Sequence, residues 1–102
     1  MTRVSVADEK ALAEKVLEIA TRAFPSEKIA GVHIERDLDE MGEEFWRPLI
    51  IFANEPEGGV RPETVWAITD EVIIFLNERG DERFPVVTFT TIAELGKAAV
   101  VE

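Results

Sequence analysis

Residues 29–53 constrain the fold more than any other stretch, because they hold two apolar segments of strand length joined by the acidic turn Asp37-Leu38-Asp39-Glu40-Met41-Gly42-Glu43-Glu44. From 28 to 36, Ala30, Val32 and Ile34 alternate with Gly31, His33 and Glu35, the period of two that a strand with one buried face produces. From 45 to 53 nearly every residue is apolar, so the second strand is either covered on both faces or covered on one and used for association on the other. Pro48 lies inside it. Proline has no N–H to give a ladder, which puts this strand at a sheet edge on that side or gives it a bulge there.

Helices flank the hairpin. Ser5-Val6-Ala7-Asp8 reads as a capping box, the Ser5 hydroxyl accepting from the amide near Asp8 while the Asp8 carboxylate sits in the positively polarised first turn. The helix it opens spans 6–23, with Leu12, Val16, Ile19, Ala20 and Ala23 forming a one-sided stripe, and Phe24-Pro25 ends it. After the turn-rich stretch 54–59, Pro62 opens a second helix over 62–79 and Gly80 stops it. Val65, Ile68, Val72, Phe75 and Leu76 make its inner stripe. Trp66 and Ile73 lie seven apart on a neighbouring face, and Ile74 lies seven beyond Ala67, so this helix is apolar over more of its circumference than one sheet requires. Trp66, Ile73 and Ile74 are therefore the candidate interface residues. A third strand follows over 85–91, Thr91-Ile92-Ala93-Glu94 caps a short last turn of helix, and 97–102 is expected to be loose or weakly docked.

The reading is an α+β fold, one small domain of order α-β-β-α-β. The hairpin is antiparallel and the helical crossover leaves the second and third strands parallel, so the three-stranded sheet is mixed. Strand order 2-1-3 is preferred to 1-2-3, since it sets the strand of Pro48 at an edge. Both helices cover one face, and the open face makes homodimerisation the natural expectation for a domain of 102 residues.

Charge narrows the partners. Twenty-one acidic side chains against eleven basic ones leave −10, and such a surface repels nucleic acid and anionic lipid. The expected partner is a protein, with a basic surface as one version. No cysteine is present, which removes disulfides and zinc–thiolate chemistry and makes the cytoplasm the expected compartment. The most apolar run, 72–76, is far too short to span a bilayer.

Chemistry is sparse. His33, Glu35 and Asp37 share one strand face and can set an imidazole beside a carboxylate as a general base, but neither Ser5 nor Ser26 stands in a nucleophile context. In the acidic turn Asp37, Asp39 and Gly42 match positions 1, 3 and 6 of a calcium loop, while Met41 and Pro48 occupy positions that need oxygen ligands. Asp37, Asp39 and Glu43 remain as candidate metal carboxylates on what otherwise reads as a solvated hairpin tip. Gly58-Gly59 precedes a helix but lies among Glu55, Glu57 and Glu63 and fits no phosphate loop, so no cofactor is implied. Trp46 and Trp66 are read as core or interface side chains. The α-β-β-α order superficially resembles a KH-type RNA-binding core, whose Gly-x-x-Gly loop and basic groove this chain lacks. The first expectation is a non-enzymatic accessory or regulatory protein, antitoxin-like or inhibitor-like. The alternative is an enzyme or ligand-binding domain with its site around His33, Glu35 and Asp37.

Overall fold

The apolar stripe of the first helix is the floor on which the rest is built. The computed structural model describes residues 6–100, with side chains described from 9 to 96. Helix α1 spans Val6–Ala23, strand β1 Ile29–Leu38, β2 Glu44–Phe52, helix α2 Pro62–Glu78, β3 Thr88–Thr91 and helix α3 Ile92–Val100. The Ser5–Asp8 cap expected for α1 lies outside the described residues. Leu12, Val16, Ile19 and Ala20 of α1 meet Trp46, Ile50 and Phe52 of β2 and Ile68, Val72 and Leu76 of α2 in one buried cluster. Both long helices thus cover the same face of the sheet. None of the described helices is long and apolar enough to cross a membrane.

The sheet is mixed and three-stranded, with β1 and β2 antiparallel and β2 and β3 parallel. Its order is β1-β2-β3, which corrects the expectation of 2-1-3: the strand holding Pro48 is central. Backbone parity shows how proline is tolerated there. Trp46 donates to the Phe84 carbonyl at 3.0 Å and accepts from the Val86 amide at 2.8 Å, so its polar groups face the third strand. Pro48, two residues on, faces the same way, its carbonyl taking the Thr88 hydroxyl at 3.2 Å. The missing N–H therefore falls toward the third strand, where pairing is interrupted between the isolated Trp46–Pro85 bridge and the ladder that starts at Leu49–Thr88. The β3 ladder is for this reason shorter than the 85–91 read from composition.

A second departure is at Ala30. The pairing shifts register between Ile29 and Gly31, so Ala30 is an extra, exposed residue. The core face of β1 is Ile29, Val32 and Ile34, and the alternation expected to include Ala30 begins one bulge later. At the C-terminal side, the Thr91 hydroxyl accepts from the Glu94 amide at 3.1 Å and caps α3. That helix runs to Val100, well beyond the single turn expected.

Candidate functional site

The hairpin carries the polar residues onto the sheet face opposite α1 and α2. Because side chains alternate along a strand, His33, Glu35 and Asp37 point away from α1, opposite Leu49, Arg47 and Phe45 of β2. His33 Nε2 lies 3.4 Å from Glu35 Oε2, and both side chains are more than half exposed. Asp37 turns elsewhere: one oxygen takes Arg47 Nη2 at 2.7 Å and the other its neighbour's amide, Leu38 N, at 2.9 Å. The three residues thus share a face, yet Asp37 is engaged with Arg47 rather than with the imidazole pair. A groove of about 730 Å3 passes Glu9, Glu35, Arg36, Asp37 and Glu44, and His33 is not on its wall. Ser26 lies in the turn that follows α1.

The acidic turn is held by its own backbone. Asp39 Oδ1 accepts from Met41 N and Glu43 N, each at 2.9 Å, while Asp39 N donates to the Glu43 carbonyl at 2.9 Å. Gly42 supplies the left-handed residue, with φ of 82°. The Asp39 carboxylate serves as the organising acceptor of the turn, and Asp37 is paired with Arg47. Among the described residues no three carboxylate or imidazole side chains converge as a metal site.

On α2 the buried stripe is Ile68, Val72 and Leu76, with Val65 and Phe75 half-buried beside it. Glu71 and Phe75 mark the flank that meets α1: Arg22 Nη1 donates to Glu71 at 3.1 Å, and Lys15 Nζ lies 6.0 Å from the centre of the Phe75 ring. Trp66 and Ile73 lie on the opposite flank by helical periodicity. Trp66 is 68% exposed and Ile74 57%, while Ile73 is half-buried. The two tryptophans therefore differ sharply, since Trp46 is 1% exposed.

Sequence reasoning missed the most connected polar cluster among the described residues. Trp46 Nε1 donates to Asp81 Oδ2 at 2.9 Å, and Arg83 engages the same carboxylate through Nε at 2.9 Å and Nη2 at 2.6 Å. The Arg83 amide adds a bond to Asp81 Oδ1 at 3.0 Å, and Nη1 reaches Glu44 at 3.0 Å. The guanidinium also stacks 4.4 Å from the Trp46 ring. Burial pushes the Asp81 carboxyl up, but the Arg83 side-chain and backbone bonds, the Trp46 bond and the Arg83 charge together outweigh it and leave the group below its ordinary range. Both Asp81 oxygens, the indole N–H and the three side-chain nitrogens of Arg83 already have internal partners, so the cluster fastens the segment after α2 to β2 rather than offering ligands. Asp81-Glu82-Arg83 after the helix stop was its one local signal; the indole lies 35 residues away. Compared with known proteins, the chain matches no family model and no curated relative.

Proposed function

We propose that this is a non-enzymatic accessory or regulatory protein of the cytoplasm that forms a homodimer and acts by binding another protein. The bare apolar surface of α2 carries the reading: an exposed tryptophan and isoleucine on one helix are the kind of surface that folded monomers keep small and that binding proteins cover. The charge of −10 supports a partner with a basic surface, as an antitoxin-like or inhibitor-like neutraliser would have, and speaks against nucleic acid and anionic membrane. Sedimentation at high micromolar concentration tests the homodimer. The chain is expected to sediment as a dimer and Trp66→Glu, a change at an exposed position, to shift it toward monomer. A monomer at that concentration refutes the self-association.

A second reading, a ligand-binding or enzymatic site beside His33, Glu35 and Asp37, draws on the 3.4 Å His33–Glu35 pair and the groove passing Glu35 and Asp37. It requires a ligand whose binding, followed by calorimetry, is lost in His33→Ala. Equal binding by that variant removes its candidate base.

A further inference from the structure

The two edges of the sheet are built differently. β1, at one edge, carries Glu35, Arg36 and Asp37 and a bulge at Ala30, and Arg36 Nε is tied to Glu9 of α1 at 3.2 Å. Charges and bulges of this kind keep an edge from pairing with another strand. β3, at the other edge, reads Thr-Phe-Thr-Thr and has neither charge nor bulge. The parity set by Trp46 turns the main chain of Val86, Thr88 and Thr90 toward β2, so the amide and carbonyl groups of Val87 and Phe89 face outward, where no described strand pairs with them.

Bare apolar side chains gather on the same side. Helix α1 packs over β1 and β2 with α2 alongside it, so the flank of α2 away from α1, which holds the exposed Trp66 and the half-buried Ile73, is turned toward the β3 side. Phe84 and Val86 lead into the edge strand on the open face, 56% and 40% exposed, and Ile92 and Leu95 follow it on α3. With aromatic side chains presenting about 150 to 250 Å2 each, these residues leave on the order of 500 Å2 of apolar surface uncovered. That approaches the roughly 800 Å2 per partner of a stable interface once edge main chain is added.

We infer that a second copy of this chain docks across the β3 edge, the two β3 strands pairing antiparallel into one six-stranded sheet with the α2 flanks facing each other above the seam. The inference rests on the homodimer reading and specifies its geometry. A second copy fits better than a peptide strand because antiparallel pairing of a strand with itself closes under two-fold symmetry, and the same rotation that satisfies the edge brings Trp66 and Ile73 toward their mates. A lone peptide strand satisfies the edge and leaves Trp66 bare. Lying among the outward-facing groups, Phe89 is placed opposite the partner's Phe89, and Thr88 of each copy opposite the partner's Thr90.

Exchanging charges at that pair tests the register. Sedimentation equilibrium of Thr88→Lys/Thr90→Lys is expected to give a dimer weakened at least about tenfold, because like charges oppose across the seam. Thr88→Lys/Thr90→Glu sets a lysine against a glutamate in both pairs and is expected to return the constant to within about threefold of the unmodified chain. Because both variants share the Thr88→Lys change, recovery also shows that this substitution leaves the fold intact, and thermal melts of both variants check this directly. A dimer indifferent to both variants, or weakened equally by them, overturns the β3 seam and leaves the homodimer standing. A monomeric unmodified chain overturns both, and edge occupancy by a partner peptide alone would then be the remaining use of β3.

Discussion

The indole nitrogen of Trp46 donates a hydrogen bond to Asp81 Oδ2 at 2.9 Å, joining the middle strand to the segment that follows α2. Both ends of this bond are largely withdrawn from water, with Trp46 1% exposed and the Asp81 side chain 14%. Asp81→Asn keeps the shape but removes the charge that Arg83 and the indole both address. The expected cost is about 1.5 to 3 kcal/mol at neutral pH, read from denaturant midpoints.

The pH dependence of that cost follows from the direction of the Asp81 shift. The folded carboxyl titrates below its ordinary 3.8, so its contribution is complete above that value and is lost as pH falls through the lower folded value. Stability of the unmodified chain and of Asp81→Asn, measured from pH 7 downward, is expected to converge only in this acid range. A gap that stays constant to the lowest pH contradicts the assignment.

Restoring the missing donor at Pro48 checks the account of the interrupted ladder. Pro48→Val places an N–H on the side of β2 that faces the third strand, and the new amide is expected to exchange slowly with solvent. The added hydrogen bond contributes about 0.5 to 1.5 kcal/mol, and the loss of proline's restriction on the unfolded chain costs about 0.4 to 1 kcal/mol, so net stability moves little. Fast exchange at residue 48 would show that the break has another cause.

Much of the architecture was legible because it is written in local periodicity. The stripe Leu12, Val16, Ile19 and Ala20 is buried as read, and Pro62 and Gly80 bracket α2 as expected, Gly80 with φ of 77°. Strand order was not legible, since the rule confining proline to edges depends on which side its nitrogen faces. That parity is set by a residue distant in sequence, Phe84, through its bond to Trp46. The Ala30 bulge was hidden likewise, because alternation gives a period but not a slip. The polar row at His33, Glu35 and Asp37 was found on one face, whereas Arg47, which diverts Asp37, comes from the opposite strand.

Core and tip substitutions should separate cleanly. Ile50 is fully buried and Leu38 is 61% exposed. Ile50→Ala is expected to cost about 2 to 5 kcal/mol, while Leu38→Ala stays within about 0.5 kcal/mol. Chemical denaturation of the two variants in parallel measures the contrast.

The hairpin turn offers a similar discrimination between scaffold and ligand. Removing the Asp39 carboxylate leaves the Met41 and Glu43 amides to solvent, and Asp39→Ala is expected to cost about 1 kcal/mol in the absence of any metal. If calcium instead raises the melting temperature of the unmodified chain and not of this variant, the carboxylate has a second role.

The rings of Phe24, Phe52 and Phe89 meet in one cluster, with Phe24 edge-on to Phe52 at 5.1 Å and Phe89 stacked on Phe52 at 6.0 Å. These residues come from the end of the first helix, the middle strand and the last strand, so the cluster spans most of the polypeptide. During synthesis Phe24 and Phe52 leave the ribosome before their third partner does. The nascent hairpin and helices are thus left with an apolar face unsealed until residue 89 emerges, and closure of the core is a late event that engages the chain as a whole.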